Sequence, residues 1–402
     1  MKKYLIILIF LCLHGSLFAS DPPENHYEKS LLETIKEIQS LNHEQALNNT
    51  RELISKYPNS RLGHLLYADL LLAKAEPLTQ IGSGIEADLA IRDFRHEIQQ
   101  RWQHDTSPAH QDLYPESILF LAGNQPYVIL VDQQNSRVYV YRNVQGDLVL
   151  ESDFFITIGL KGYGKQKRGD QKTPIGVYHV TRYIDGGELP DLYGAGAFPI
   201  NYPNPWDLRN QRTGDGIWIH GTPSYTYNRS PWATNGCIAV SNQDFLRIDD
   251  FIDPFLNTPV IVVKQVNWIN REQWLDKRKE AMQLLSTWLI DWESLDHERY
   301  RRHYSRSNLD AYGRDFKSWD GHKRWVDRNK TWVDVEYSEL SIFNYPGEDN
   351  LMLMQFEQSY RSDNLSIESS KELYWRKRDA RWQIVYEDNR SFPVPDNTIV
   401  EN

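Results

Sequence analysis

The hydrophobic pattern of this 402-residue chain changes its period twice, near Pro126 and near Lys264. Before Pro126, apolar residues recur every three or four positions, as on one face of an amphipathic helix. Between the two points they alternate or form short continuous runs, which is typical of β-strands. After Lys264, a helical pattern is followed by alternating runs. The pattern therefore predicts a multidomain protein with an N-terminal α-helical segment, a central mainly-β domain and a C-terminal α+β domain.

The predicted helical segment covers residues 20–115 and contains a turn at Tyr57-Pro58-Asn59 between two amphipathic stretches. This arrangement resembles one tetratricopeptide-type hairpin. A single such unit cannot bury both of its faces, so two interpretations remain open. The segment is either a helical cap on the next domain or a surface that binds a protein partner.

Residues 1–19 have the composition of a secretion signal. Lys2 and Lys3 precede an apolar run from Tyr4 to Leu13, and Ala19 ends a cleavage-site pattern. The run is shorter than the roughly 20 apolar residues of a membrane-spanning helix. We therefore expect export to the periplasm, no transmembrane span after cleavage, and an envelope protein as any partner of the flanking domains. An uncleaved membrane anchor is the alternative.

The central domain is predicted over residues 126–264 and begins with a β-hairpin. Its other predicted strands are Leu148 to Phe155, Val177 to Tyr183, Gly216 to Ile219 and Val260 to Lys264. A long segment rich in Gly, Pro and Asn, residues 186–205, separates two of these strands. Loops of that length inside a β domain usually carry function.

The C-terminal domain is predicted over residues 265–390, with a helix from Arg271 to Trp292 followed by strands. Helix first and then a meander of strands favours a curved sheet that wraps its helices into a cone. The polar tail, residues 391–402, is expected to be mobile. The net charge of −10 and the lack of a basic patch do not indicate nucleic-acid binding. The basic stretch from Lys161 to Lys172 is interpreted as a solvated loop, or as a contact for ligand carboxylates.

Cys237 is the one cysteine left after cleavage, since Cys12 lies in the leader. An exported chain with one thiol cannot form an internal disulfide, so the thiol is either a buried bystander or a reactive group. A nucleophilic cysteine needs a nearby base because few thiols are ionised at neutral pH. His220, at the end of a predicted strand, is the candidate base, and Gly221 and Gly236 flank the pair. Ser241-Asn242-Gln243-Asp244 is interpreted as a helix start.

Two other cysteine chemistries fit poorly. Papain-type proteases place the cysteine well before the histidine, and here His220 precedes Cys237. A zinc site lacks further ligands at recognisable spacing, although His179 and His322 are present. We expect no metal and no cofactor.

Three segments in order resemble the YkuD-type L,D-transpeptidases. They are Gly169-Asp170-Gln171-Lys172-Thr173-Pro174-Ile175-Gly176-Val177-Tyr178, Gly214 to Gly221, and Thr234-Asn235-Gly236-Cys237. The resemblance implies acyl transfer on peptidoglycan tetrapeptide stems, with release of D-alanine. Cys237 would be the nucleophile, His220 the general base, and the Gly221 carbonyl the group that orients the imidazole. Thr234, Asn235, Gly236 and Tyr193 are the candidate substrate-binding residues.

Two departures from the family pattern concern the acceptor. Asn235 stands where many members have His, and Ile238-Ala239-Val240 stands where many have Arg. The motif form is similar to that of a subgroup from curved bacteria that trims tetrapeptides to tripeptides. L,D-transpeptidation is the first expectation, L,D-carboxypeptidation is its rival, and a non-catalytic envelope-binding module is the alternative of another class.

The C-terminal domain resembles the nuclear transport factor 2 superfamily, in Trp319 to Arg324 and in Leu340 to Gly347. Such cones often hold an apolar pocket, and abundant aromatic residues stack well on sugar rings. The resemblance implies a scaffold or accessory binding role for this domain. It is also a companion of the carboxypeptidase-like subgroup.

Overall fold

The structure, a computed structural model, describes residues 26–75, 82, 88–106 and 112–389. The expected secretion signal, residues 1–19, and the expected tail, residues 391–402, lie outside these ranges. Within them, none of the helices combines the length and the apolar character that a bilayer crossing requires.

The N-terminal region is helical, as the period predicted. Its helices are α1 (His26–Gln39), α2 (His43–Lys56), α3 (Arg61–Leu72) and α4 (Asp88–Thr106). The Tyr-Pro-Asn turn ends α2, and Ser60 caps α3 by accepting a hydrogen bond from the Gly63 N–H at 3.0 Å. Apolar residues of all four helices share one core, which also includes Tyr227 of the central domain. The helical hairpin is therefore packed against other parts of the chain.

The central region consists of two main sheets and a separate pair of short strands around an apolar core. Its elements are β3 (Tyr127–Asp132), β4 (Arg137–Val144), β5 (Asp147–Phe155), β6 (Ile158–Gly159), β7 (Gly176–His179), β8 (Ile184–Asp185), β9 (Gly196–Pro199), α5 (Pro205–Arg209), β10 (Trp218–His220), β11 (Trp232–Thr234), β12 (Ile238–Ala239), α6 (Asn242–Asp249) and β13 (Pro259–Val263). The first sheet has the strand order β5-β4-β3-β13-β7, and the second has the order β12-β10-β9-β8. The strand predicted from Val177 to Tyr183 is shorter because the chain leaves the first sheet after His179.

The C-terminal region is the predicted helix-then-strand unit. Its elements are β14 (Trp268–Asn270), α7 (Arg271–Glu293), α8 (His297–Tyr300), β15 (Asp310–Ala311), α9 (Phe316–Asp327), β16 (Val333–Asn344), β17 (Leu351–Ser362), β18 (Leu365–Arg378) and β19 (Arg381–Asn389). The long strands form a meander, and Trp274, Trp288 and Trp319 from the helices are buried among the other aromatic residues. Burial of this many large rings supplies much of the hydrophobic stabilisation of the domain.

Two short strands between the helical and central regions join the C-terminal region. They are β1 (Leu113–Pro115), which pairs with β14, and β2 (Ile118–Phe120), which pairs with β16. The sheet order is β15-β19-β18-β17-β16-β2, and the Trp274 indole donates to the Ile118 carbonyl at 2.7 Å. The apolar core of the C-terminal region continues into one face of the first central sheet. The two regions therefore fold against each other over a broad surface.

Buried charges attach the helical region to the central sheet. Glu28 of α1 accepts hydrogen bonds from Arg137 of β4 and forms an ion pair with Arg101 of α4 at 3.2 Å. Arg101 also pairs with Glu97 at 3.0 Å, and Arg137 pairs with Asp153 at 3.1 Å. Because both arginines are almost fully buried, each needs its carboxylate partners to offset the loss of hydration.

Candidate active site

Two neighbouring parallel strands carry His220 and Cys237. Ile219 of β10 lies opposite Ile238 of β12, and His220 lies opposite Ala239. In the same register, Cys237 lies beside Trp218, one residue before β12. Side chains two residues apart along a strand point to the same face of a sheet. The structure therefore brings the predicted nucleophile and the predicted base to one face at one end of the second central sheet.

The imidazole of His220 is held by the next peptide in the chain. Its Nδ1 lies 2.6 Å from the carbonyl oxygen of Gly221, and the residue is 2% exposed. A carbonyl only accepts hydrogen bonds, so this contact requires the proton on Nδ1 and leaves a lone pair on Nε2. Burial lowers the pKa of His220 to about 4, and the charge of Arg229 adds to the effect while the Gly221 carbonyl opposes it. At neutral pH the ring is thus an uncharged acceptor through Nε2.

The thiol of Cys237 is half-buried and also uncharged at rest. Its Sγ donates to the Gly216 carbonyl at 3.3 Å, so the S–H is directed to Gly216 and not to His220. Burial raises the pKa of Cys237 to about 11, against opposing effects of the Trp218 N–H, Lys165 and Arg229. The site therefore starts from a neutral thiol and a neutral imidazole.

The turn before Cys237 is fixed by its own side chains. The Thr234 hydroxyl accepts from the Gly236 N–H at 3.1 Å and donates to the Cys237 carbonyl at 2.7 Å. Gly236 has φ +127°, and a Cβ there would lie 2.8 Å from the Lys172 carbonyl oxygen. Only glycine adopts this conformation in so close a contact without strain. Thr234 and Gly236 therefore shape the turn from buried positions.

The motif loop that starts at Gly169 supports this turn from the other side. The buried Thr173 hydroxyl donates to the Gly236 carbonyl at 2.9 Å and accepts from the Gly159 N–H at 2.9 Å. The exposed Asn235 accepts from the Gln171 amide at 3.2 Å. Asn235 is thus exposed at the rim of the candidate site, two residues before Cys237 in the sequence.

Tyr193 packs directly against His220 and Trp218. Its ring centroid lies 5.1 Å from that of His220, edge to face, and 4.8 Å from that of Trp218. Burial raises the pKa of the Tyr193 hydroxyl, and the nearby Cys237 raises it further. The half-buried ring is therefore adjacent to both members of the predicted pair.

Two cations that act on the thiol were not singled out from the sequence. Lys165, from the stretch interpreted as a solvated loop, is buried and pairs with Asp170 at 2.8 Å. Burial alone would raise the pKa of Asp170, but the hydrogen bonds from Lys165 and from backbone N–H groups lower it to about 2. The second cation is Arg229, in the loop between His220 and Cys237. The ion pair of Lys165 with Asp170 could have been predicted, because the two residues are only five positions apart in the sequence. The position of Arg229 near the thiol depends on the tertiary fold and could not.

The part of the chain that the structure describes contains no group of three His, Cys, Asp or Glu side chains arranged to hold a metal ion. His179 lies on β7 and His322 on α9, in different regions of the fold. Among the described residues, neither of the two histidines considered as extra zinc ligands therefore joins Cys237 in such a group.

Comparisons with known proteins match two regions of the chain. Residues 126–262 match the family described as YkuD, the L,D-transpeptidase catalytic domain, and residues 280–388 match the Cds6 C-terminal NTF2-like domain. The sequence matches no curated protein. The structure of Bdellovibrio bacteriovorus Bd1075 is similar at 28% identity and a TM-score of 0.62, over 70% of this chain and 99% of that chain. The helical cell shape determining protein Pgp2 from Campylobacter jejuni shares the fold at 24% identity and a TM-score of 0.56, over 73% of this chain and 100% of its own.

Proposed function

The chain carries a YkuD-type L,D-transpeptidase catalytic domain and a C-terminal NTF2-like domain, and from this premise we propose that it is a cysteine acyltransferase of peptidoglycan tetrapeptide stems. The observation that carries the proposal is the hydrogen bond from His220 Nδ1 to the Gly221 carbonyl. It leaves Nε2 as a base on the sheet face that also carries Cys237. A base and a thiol on one rigid support are what acyl transfer to sulfur requires.

In the first step, Cys237 Sγ attacks the carbonyl carbon of the third stem residue as the thiol proton moves to His220 Nε2. The new S–C bond forms, the C–N bond to terminal D-alanine breaks, and the imidazolium returns the proton to the leaving amine. We assign the oxyanion to the N–H of Cys237, because the Gly236 N–H already donates to Thr234. The product is a thioester.

The two pKa shifts favour proton transfer during the attack over a resting thiolate-imidazolium pair. Burial disfavours the charged form of each group separately, with the pKa of Cys237 raised to about 11 and that of His220 lowered to about 4. Charge therefore appears only as the substrate carbonyl is attacked, when the oxyanion and the imidazolium develop together. His220 acts as a general base in this scheme.

Transfer of the acyl group to an amine acceptor makes the protein an L,D-transpeptidase, and this is the function we propose. Transfer to water would make it an L,D-carboxypeptidase that trims tetrapeptides to tripeptides. One observation favours this second candidate: Ile238, Ala239 and Val240 are buried and apolar, so this segment offers an acceptor no charged side chain. The neutral Asn235 at the rim provides only hydrogen bonds.

The remaining assignments rest on location. We propose that Asn235 and Tyr193 contact the substrate directly, since both border Cys237 and are at least partly exposed. Thr234 and Gly236 contribute through the shape of the turn. We further propose that residues 1–19 direct export to the periplasm, where peptidoglycan is accessible, and that the division at residues 264 and 265 separates the catalytic and NTF2-like domains.

Defined tetrapeptide muropeptides, with and without an amine acceptor, test this function in the purified full chain. We expect cross-linked dimers with the acceptor for transpeptidation, or tripeptides and free D-alanine in both conditions for carboxypeptidation. Cys237→Ala should form neither product while still binding sacculi. Products that persist in Cys237→Ala would contradict the proposal, and sacculus binding without any wild-type product would favour a non-catalytic module.

A further inference from the structure

Asn242 connects the loops on both sides of the candidate active site. It is the first residue of α6, and Ser241 caps that helix. Its Oδ1 accepts from the Ala195 N–H at 2.9 Å and from the Thr222 N–H at 3.0 Å. Its Nδ2 donates to the Thr222 carbonyl at 2.8 Å. One side-chain amide thus holds the loop after His220 and the loop that carries Tyr193.

The peptide between Gly221 and Thr222 lies between this amide and the imidazole. Its carbonyl accepts the Nδ1 proton of His220 at 2.6 Å, and its N–H donates to Asn242. A trans peptide unit is planar, so holding the direction of the N–H also holds the direction of the carbonyl. A donated N–H also polarises the peptide and strengthens its carbonyl as an acceptor. Asn242 therefore acts on His220 through one peptide unit.

Two glycines make room for the amide. A Cβ at Gly221 would lie 2.2 Å from Asn242 Oδ1, and a Cβ at Gly194 would lie 2.0 Å from the same atom. No real side chain tolerates either contact without displacing the amide. The close approach of Asn242 thus explains why glycine follows His220 in the His-Gly-Thr motif. It also explains why glycine follows Tyr193 in the second loop.

We propose that Asn242 is a positioning residue that keeps the proton of the His220 imidazole on Nδ1, so that Nε2 stays free to accept the thiol proton. Without the amide, the Gly221 carbonyl turns away part of the time and the proton can move to Nε2. A ring protonated on Nε2 cannot take the proton of Cys237. The kinetic part of this inference rests on the proposed function, but the position of the proton does not.

The test measures the tautomer directly by NMR of the full chain labelled with ¹⁵N-histidine at neutral pH, using His220→Gln to identify the resonances. The wild-type ring should be protonated on Nδ1, and Asn242→Ala should show a mixture of both tautomers. We expect kcat of Asn242→Ala to fall about 10- to 100-fold, the range found for groups that orient metal-binding histidines. KM should rise as well, because the same amide holds the loop of Tyr193, which is assigned a substrate contact, so the tautomer is the readout that reports on the base alone.

Ser241→Ala is the matched control. It removes the cap of the same helix without touching the Gly221 to Thr222 peptide, so the tautomer and kcat should remain as in the wild type. Asn242→Asp keeps the acceptor oxygen but replaces the Nδ2 donor with an oxygen that faces the Thr222 carbonyl, so it too should show a mixture of tautomers, which covers the case in which Asn242→Ala does not fold. An Nε2-protonated wild-type ring, or the wild-type tautomer in Asn242→Ala or, if that variant does not fold, in Asn242→Asp, would overturn the inference. A wild-type protein that forms no product but shows the expected tautomers would refute only the proposed function.

Discussion

Neutral resting forms of Cys237 and His220 determine how the thiol should respond to pH. With the thiol pKa raised to about 11 by burial, the rate of alkylation by iodoacetamide should still be rising at pH 9 in the folded protein. In the urea-unfolded chain the rate should level off near the ordinary thiol pKa of about 8.5. Alkylation quenched at a series of times and analysed by mass spectrometry measures the rate against pH for the folded and the unfolded protein. Coincident curves would show that burial does not protect the thiol.

Replacement of the base gives a second residue-scale prediction. His220→Gln should slow alkylation of Cys237 near neutral pH, because no group remains to accept the thiol proton during the attack. Thr173→Val, which loosens the turn but leaves the imidazole in place, is the comparison variant. An alkylation rate that does not change in His220→Gln would count against direct proton transfer between the two groups.

The lowered pKa of His220 also predicts a pH dependence of folding stability. An unfolded histidine titrates near pH 6.5, whereas His220 in the folded protein titrates at about 4. Between these values the unfolded chain binds more protons, so this contribution to stability is present above about pH 6.5 and is lost as the pH falls towards 4. The shift corresponds to about 3 kcal/mol.

Urea unfolding of the wild type and of His220→Gln at several pH values between 4 and 7 isolates this effect. The free energy of unfolding of the wild type, relative to that of the variant, should decrease as the pH falls. Other titrating groups are common to both proteins and cancel in the difference. A difference that is independent of pH would disprove the shifted pKa.

At the scale of elements, the helical region packs against a loop of the candidate active site. The loop after His220 packs through Tyr227, which stacks on Tyr27 with ring centroids 3.9 Å apart. The Tyr227 N–H also donates to the Asn59 carbonyl at 2.9 Å, in the turn of the helical hairpin. The Tyr-Pro-Asn turn thus contacts the same loop that carries the Gly221 to Thr222 peptide. The helical hairpin therefore packs against the central region on one side, whatever its other side binds.

Removal of the Glu28 carboxylate, which Arg101 and Arg137 share, tests how much this buried network stabilises the attachment of the helical region. Glu28→Gln leaves Arg101 and Arg137 buried with one charged partner fewer, and uncompensated buried charge is costly. We expect the free energy of unfolding to fall by about 3 kcal/mol. Glu33→Gln, on the exposed face of the same helix, should change it by less than about 0.5 kcal/mol. Equal effects of the two substitutions would mean that the buried network does not hold α1 in place.

Elements with local signals were predicted well from the sequence. The helix expected from Arg271 to Trp292 spans Arg271–Glu293, because Asn270 and Gln273 form a capping box and the apolar residues keep a helical period. The hairpin of β3 and β4 was also predicted from a local pattern, in this case two strand-like apolar runs close together in the sequence. Strand β2 was not, because its three residues gain their order only from pairing with β16, more than two hundred residues later.

The residues of the candidate site also fall into two groups, those that a local sequence motif predicts and those that only the tertiary fold reveals. Cys237 and His220 were predicted because their motifs are local, whereas the role of Asn242 was not, since a helix start accounts for a polar residue at that position. Its contacts with Ala195 and Thr222 join segments that are distant in sequence. Contacts of this kind depend on the tertiary fold and carry no periodic signal.

At the scale of the whole molecule, the central and C-terminal regions share an apolar core and are joined by side-chain contacts across their boundary. Trp206 of the central region stacks on Tyr374 of β18 with centroids 5.1 Å apart. Arg212 bridges Asp207 and Glu348 across the same boundary, at 3.0 Å and 2.9 Å. Since β2 forms an edge of the C-terminal sheet and one face of the first central sheet belongs to the same apolar core, neither region keeps its full core when the other unfolds. We infer that the two unfold together.

Calorimetry checks this cooperativity. The wild type should show one transition for the central and C-terminal regions, and Tyr374→Ala should shift that whole transition to lower temperature. Loss of muropeptide turnover on heating should follow the same curve. Two separate transitions, with only one moved by Tyr374→Ala, would indicate regions that are independent in stability.

The thiol of Cys237, resting as S–H on the Gly216 carbonyl, should be resistant to oxidation. Peroxides and disulfides react with thiolates, and a thiol whose pKa is about 11 is almost entirely protonated at neutral pH. Between turnovers the sulfur should therefore resist conversion to sulfenic acid or a mixed disulfide. If residues 1–19 direct export, as proposed, the same burial that makes Cys237 depend on His220 would protect its sulfur in a compartment that lacks a reductant.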